Sequence, residues 1–189
     1  MTRRTWYLVT NSLVGAWLAL AVVAVTAHRF VPNSNWLMVR LLLLGALSTA
    51  IYIWSQHFAD SLLRRKPPGG RRSLGLRLIL HTLGAGIVVA GMMAALWPLL
   101  LAGAVLVVVA AVIHGLTLAA QLRGVLPARF ASLVWYYVAA TLTLVVGVTL
   151  GVIMARPGMA GAVHDRLFVA HLGMNLLGWV GLTVIGTSV

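Results

Sequence analysis

Residues 171–187 read HLGMNLLGWVGLTVIGT, a segment that is apolar enough to lie in a bilayer although it begins with a histidine. At about 100° per residue, His171, Asn175 and Gly178 fall on one face of a helix. Polar groups are costly in hydrocarbon, so this face is predicted to contact protein, a ligand or a metal. The competing interpretation is a tight helix-packing face whose single histidine is satisfied by a neighbour.

The composition indicates that the whole chain, like that segment, belongs in a lipid bilayer. Its 189 residues are 61% hydrophobic and 8% charged, with a mean hydropathy of +1.02, which is typical of polytopic membrane proteins. The net charge of +12 is therefore attributed to helix ends that fix topology and meet lipid head groups, and nucleic acid is excluded as a partner. The absence of cysteine excludes disulfides, thiolate-bound copper, iron–sulfur clusters and c-type heme. Two aspartates are too few for carboxylate-pair hydrolysis or a carboxylate-lined cation path.

Six apolar runs predict an all-α fold, a polytopic membrane bundle of six transmembrane helices that forms one domain over residues 1–189. The prolines fall in loops or at helix starts, which predicts uninterrupted helices. Val25–Ala27 resembles a signal-peptidase site, so a cleaved leader is the alternative to an uncleaved first helix. The last run ends without a basic anchor, which leads us to expect truncation at the C-terminus. The predicted spans are 6–27, 36–63, 76–97, 99–122, 131–155 and 166–189.

Positive charge is sorted between the two sides of this predicted bundle. Ten basic residues lie at the N-terminus and in loops two and four, and three lie in the other loops: Arg29, Arg156 and Arg166. The positive-inside rule then predicts a multi-pass protein of the plasma (inner) membrane with both termini in the cytoplasm.

The histidines are the candidate ligands, because the chain offers no cysteine and few acids. His57, His81 and His114 are predicted roughly 6–13 Å from the inner boundary, on three different helices. His171 and Asn175 are predicted near the outer boundary, at the depth of Arg40. Histidines at one level of a bundle suit axial ligation of heme b, or copper. The candidate metal ligands are His57, His81, His114 and His171, and Arg40 and Asn175 join the candidate cofactor-binding residues.

Ordinary explanations compete at each position. His81 lies one turn from Arg77 and could reach the interface, and His57 belongs to a polar helix end if Asp60 pairs with Arg64. His28 and His164 fall in outer loops and are expected to be solvated. Arg40 needs a partner, namely a heme propionate, a lipid phosphate or backbone carbonyls, unless it extends to the outer head groups. Asn175 is expected to offer its side-chain oxygen to the N–H of His171.

Several segments resemble actinobacterial membrane proteins known as copper oxidases, and the resemblance covers most of the chain from Trp36 onward. In that family a multi-helix membrane module often precedes a multicopper-oxidase or copper nitrite-reductase-like domain. The pattern H-x-x-x-N-L-L-G-W at His171 is also similar to distant relatives of heme-copper oxidase subunit I. Only His57 and His171 carry over, because Arg40 stands where the family has a histidine before LLLLG. The matching segments are LLLLGA (41–46), WSQHFAD (54–60), PARF (127–130), WYYVAA (135–140) and NLLGWVGLT (175–183).

Three functions are compatible with these observations. The first is a heme- or copper-binding membrane module of a redox system, with a copper-containing redox domain or protein as partner. The second is a structural anchor or assembly partner in the lipid bilayer without a cofactor, and oligomerisation stays open for both. A transporter or channel ranks last, since intact helices without a polar stripe offer no path. No nucleophile or acid–base pair is present, so catalysis by this chain alone is not expected.

Overall fold

The computed structural model describes residues 2–31, 33–123 and 131–188, and its regular structure is helical throughout these ranges. Six helices are long and apolar enough to cross a membrane, with mean hydropathies from 1.6 to 2.7. The predicted all-α bundle of six helices is therefore confirmed. The PARF segment of the resemblance and Val189 lie outside the described residues. The helices are α1 (Arg3–Thr26), α2 (Ser34–Leu63), α3 (Gly70–Met93), α4 (Trp97–Leu122), α5 (Ala131–Met154) and α6 (Gly161–Thr187).

Two helices begin earlier than the hydropathy pattern predicts. The α3 helix starts at Gly70 rather than near residue 76, and α6 starts at Gly161 rather than at residue 166. Charged side chains in these first turns remain exposed, so the backbone becomes helical before the apolar run begins. The consequence is largest for Arg77, which lies two turns inside α3 and is completely buried instead of marking a boundary.

The prediction that no proline interrupts a span agrees with the structure, in which all six helices are continuous, but two of them contain a π-helical segment. The α2 helix is π-helical over Leu41–Leu47, and α6 is π-helical over Met174–Gly181. Neither segment contains proline, so the proline pattern could not reveal them. At the first segment α1 packs closely, since a Cβ on Gly45 would lie 2.5 Å from the Trp17 ring. Such segments often mark functional sites in helices.

Glycines set the spacing between α3 and α4. These helices form an antiparallel hairpin through the turn 94–96, and Pro98 occupies the first turn of α4 as predicted. A Cβ on Gly103 would lie 2.6 Å from the Val88 nitrogen and 2.7 Å from the Gly84 oxygen, both backbone atoms. Only glycine permits this approach, which is the small-residue packing common between membrane helices.

Two polar levels interrupt the apolar interior. We call the end of the bundle that carries the 64–69 connection the basic end, and the end that carries the 155–160 connection the cavity end. Between them lies an apolar core formed by α2 to α6, whose largest buried side chains include Tyr52, Ile53, Leu78 and Leu144. The fold therefore places one polar cluster toward each end of the bundle.

Candidate functional site

A cavity of about 260 Å³ opens at the cavity end, and five of the six helices line it. Its wall is mostly apolar, with contributions from α3, α4 and α5 as well as from the two π-helical segments. Cavities of this kind, apolar with a few placed polar groups, are typical of ligand sites. The polar or aromatic side chains on its wall are Trp36, Arg40, Ser48, His164, Phe168, His171, Asn175 and Trp179.

His171 is buried in this wall with a defined tautomer. Its Nδ1 lies 2.7 Å from the carbonyl oxygen of Gly147, and because a carbonyl only accepts, Nδ1 carries the hydrogen. Its Nε2 therefore holds a lone pair, which accepts a hydrogen bond from Nη2 of Arg40 at 3.0 Å. The imidazole thus presents its ligating nitrogen toward a cation that borders the cavity.

The N–H of His171 donates to a backbone carbonyl and not, as expected, to the Asn175 side-chain oxygen. The Asn175 amide donates to the backbone oxygen of His171 at 2.7 Å, and its Nδ2 lies 3.3 Å from Nδ1, where two donors cannot bond. Glycines on α5 make room for this arrangement. A Cβ on Gly147 would lie 2.5 Å from the Asn175 amide, and one on Gly151 would lie 2.9 Å from the His171 ring. The expectation about Asn175 is therefore corrected: Gly147 orients His171.

Arg40 contributes a positive charge to the cavity wall. Its guanidinium lies 5.5 Å from the ring centroid of Trp36, a cation–π contact, in addition to its bond with His171. The chain has two acidic residues, and neither contacts Arg40. Asp60 is at the basic end, and Asp165 is exposed beside His164. An anionic group on a ligand would therefore find an uncompensated arginine.

The basic end holds a denser network built around Arg77. Its Nη1 donates to Nδ1 of His114 at 2.5 Å, its Nη2 to Oε1 of Gln56 at 3.0 Å, and its Nε to the oxygen of Ser73 at 3.1 Å. The Gln56 amide continues to Asp60 at 2.8 Å. The buried charge of Arg77 is thus linked to a carboxylate through one amide.

Gln121 on α4 completes this network. Its Nε2 donates to Oδ1 of Asp60 at 2.9 Å, and its Oε1 accepts from Nε2 of Gln56 at 2.8 Å. The expected pairing of Asp60 with Arg64 is corrected, since Asp60 accepts from these two glutamines instead. The network ties α2, α3 and α4 together.

His114 uses both ring nitrogens inside the protein. Because Arg77 donates to Nδ1, the hydrogen is on Nε2, which donates to Oγ of Ser55 at 2.9 Å. Ser55 in turn donates to the oxygen of Ile51 at 2.6 Å. His114 therefore has no lone pair left for a metal unless Arg77 moves away.

His81 lies on the other side of a buried tyrosine. The Tyr52 ring packs 4.9 Å from the His81 ring and 4.8 Å from the His114 ring, measured between centroids. Nε2 of His81 donates to the oxygen of Leu44 at 2.9 Å. Nδ1 of His81 and the Tyr52 hydroxyl are both buried without a hydrogen-bond partner among the described residues. These two atoms could therefore form hydrogen bonds with water or another small polar group.

His57 is separate from the other two histidines of its level. It is half-buried and faces α1, where its Nδ1 lies 2.8 Å from the Tyr7 hydroxyl. Trp54 and Phe58 pack around its ring with centroid distances of 5.5 and 5.9 Å. The predicted set of three inner histidines thus divides, and within the described ranges no three His, Cys, Asp or Glu residues form a metal-binding group.

The structure brings together Arg40, His171 and Asn175, and their role as cofactor-binding residues stays a prediction. The residues that sequence reasoning missed are Arg77, its partner Gln56, and Gln121, which is bonded to Gln56. A signal was present, since Gln56 and Asp60 are spaced i, i+4 on α2 and mark a polar face toward the bundle. The sequence matches no family model, no curated protein and no solved structure. The fold is that of a multi-pass, all-α membrane protein, the cavity is a candidate ligand site, and the copper-oxidase resemblance stays a prediction.

Proposed function

We propose that the chain is an integral membrane module of a redox system and that it binds heme b in the cavity at the cavity end. One observation carries the proposal: His171 and Arg40 share the wall of an apolar cavity. The bond from Nδ1 of His171 to the Gly147 carbonyl leaves the lone pair on Nε2, and no acidic side chain contacts Arg40. A porphyrin needs that apolar surface, its iron needs an imidazole nitrogen, and its propionates need a cation.

The residues of this chain would divide that work. His171 would hold the iron, Gly147 would keep the His171 tautomer, and Arg40 would turn from His171 to a propionate. When bound, heme supplies one-electron redox chemistry. Copper fits less well, because Arg40 donates to Nε2 of His171 and repels a cation, and because His57, His81 and His114 do not share a site.

The test is the absorption spectrum of the protein purified in detergent from cells supplied with heme. A reduced-minus-oxidised band of b-type heme is expected for the wild type, and His171→Ala should lose it. His28→Ala, which removes an exposed histidine, is the matched control and should keep the band. A band that survives in His171→Ala would remove this residue from the site, and a colourless wild-type protein would overturn the proposal.

A structural anchor or assembly partner without a cofactor is the second candidate. It is supported by the same hydrogen bonds, since both ring nitrogens of His171 and of His114 have partners within the protein. A colourless and metal-free preparation whose His171→Leu variant is at least as stable as the wild type would favour this candidate.

The topology is part of the proposal. We place the basic end and both termini on the cytoplasmic side of the plasma membrane, because basic loops favour that side. The chain has no cysteine, so Lys66→Cys and Gly161→Cys give clean single labels. An impermeant thiol reagent should label only Gly161→Cys in intact cells, and both variants after permeabilisation. Labelling of Lys66→Cys in intact cells would reverse the orientation.

A further inference from the structure

The α3 helix forms the wall of the cavity opposite α6. Both helices line the cavity. The α6 helix packs against α5 and α2, to which His171 is bonded through Gly147 and Arg40. The α3 helix packs instead against α2 and α4. A side chain that enters the cavity from α3 therefore faces the wall that carries His171.

Met92 lines the cavity from the last turn of α3. Its neighbour Gly91 packs directly against the backbone of Leu100 on α4. Leu100 lies almost one turn inside Trp97, and Nε1 of Trp97 donates to the carbonyl oxygen of Val152 on α5 at 3.1 Å. These contacts set Met92 level with the part of α5 that lies just inside Val152.

The same part of α5 receives the imidazole of His171. Gly151 precedes Val152, and a Cβ on Gly151 would lie 2.9 Å from the His171 ring. Because each helical residue rises by a constant amount, Met92 and His171 are at the same depth in the bundle to within about one helical turn. A thioether and an imidazole thus border one apolar cavity at one level and from two sides.

Few side chains on the cavity wall could ligate iron together with His171. Among the described residues that line it, further imidazole or thioether groups occur at Met92, Met154 and His164. His164 is two turns before His171 on the same helix, about 10 Å away along its axis, so it cannot reach the opposite side of an iron bound by His171. Met154 lies one turn after Gly151 on α5, on the wall that receives the His171 ring. Met92 is the ligand that faces His171.

We propose that the Met92 thioether is the second axial ligand of the heme iron, opposite His171. The assignment rests on the heme site proposed above and gives that site a redox character. Methionine paired with histidine raises the reduction potential of heme, because the soft sulfur favours ferrous iron. The cavity would then hold an electron acceptor of comparatively high potential.

The experiment uses the full chain, purified with heme in detergent, and two matched substitutions. Met92→Leu removes the sulfur from the α3 wall, and Met154→Leu makes the same exchange on the His171 side of the cavity. Leucine and methionine have similar volumes, so both variants should fold, which size-exclusion chromatography checks. The readouts are the weak sulfur-to-iron charge-transfer band of the oxidised protein and the reduction potential from a redox titration.

Met92→Leu should keep the heme, lose the charge-transfer band and lower the reduction potential. Met154→Leu should match the wild type in all three properties. Met92→His is a second test of the same position. It should also lose the band while the iron stays six-coordinate and low-spin, because an imidazole then replaces the thioether.

The outcomes separate this assignment from the heme proposal itself. A heme-loaded wild type without the band, or a band that Met92→Leu retains, overturns the role of Met92 and leaves the heme site in place. Equal losses of the band in Met92→Leu and Met154→Leu also overturn that role, because the effect would then follow any change of the wall. A colourless wild type overturns both proposals.

Discussion

Two arginine–histidine pairs are hydrogen-bonded among the residues that the structure describes, and they differ in how many of their polar groups have partners within the protein. At the basic end, Arg77 and His114 are fully buried, and further bonds from Arg77 lead through Gln56 to a carboxylate. At the cavity end, Arg40 has a bond to His171 and a ring contact, and it borders open volume. The first pair is closed and structural in character, and the second is open toward a ligand.

This difference shows that two buried histidines can differ in the hydrogen-bond partners of their ring nitrogens, which burial alone does not reveal. His114 is the more deeply buried of the two and is flanked by apolar residues in sequence, yet both its nitrogens have partners. His171 is slightly more exposed, and only its Nε2 partner has the freedom to turn toward a ligand. The useful criterion is whether the partner can be exchanged without leaving a buried polar group unpaired.

The largest effect is expected from removing the closed arginine. Arg77→Met leaves His114 and Gln56 without a donor and Asp60 without its linked cation, so it should lower the free energy of unfolding by about 3–5 kcal/mol. Arg40→Met loses one hydrogen bond and should change it by about 1 kcal/mol at most. Denaturant titration of both variants in detergent micelles provides the measurement. Equal effects of the two substitutions would erase the distinction between closed and open pairs.

A smaller contrast is expected between the two histidines. His114→Leu leaves a donor of Arg77 unpaired in the interior, which should cost about 2 kcal/mol. His171→Leu should be tolerated in the protein without a ligand, because Arg40 borders the cavity and an apolar side chain is favourable in a bilayer. Thermal unfolding followed by circular dichroism compares them. A His171→Leu protein less stable than His114→Leu would contradict this ordering.

The smallest effect tests the close contact between Gly147 and the Asn175 side chain. Gly147→Ala forces its new methyl group against the Asn175 side chain, and because that side chain can shift, the cost should be about 1 kcal/mol. Gly173→Ala on α6 is the matched control, since nothing lies within 4 Å of its Cβ position. The control should be neutral or slightly stabilising in the same unfolding assay. Equal destabilisation by both would mean that the close contact at Gly147 carries no cost.

Much of the fold could be predicted, because the hydropathy of each residue can be read directly from the sequence. Six apolar runs of bilayer length specify six helices, and Pro98 specifies where α4 begins. The buried environment of Arg77 could not be obtained in this way. Its partners Gln56 and His114 lie 21 and 37 residues away in sequence, so the burial of Arg77 depends on how three helices pack.

The residues of the candidate site could be predicted from the sequence, but the hydrogen bonds between them could not. Depth along the helices placed Arg40, His171 and Asn175 at one level, because rise per residue is nearly constant. The partner of His171 Nδ1 is a main-chain oxygen on α5. Because every residue carries such an oxygen, the residue types in the sequence do not indicate which one binds His171. Side-chain patterns therefore favoured Asn175 over Gly147.

The π-helical segment of α2 changes the direction in which Arg40 points around the helix axis relative to Gln56. Arg40 and Gln56 are sixteen residues apart, and an uninterrupted α-helix would point them about 160° apart, one inward and one toward lipid. A π turn takes up one additional residue and rotates the preceding part back by about 100°, which brings both residues toward the interior. Deleting one residue within Leu41–Leu47 would thus restore an ideal helix in which Arg40 and Gln56 are fifteen residues and about 60° apart, so that Arg40 would still face the interior.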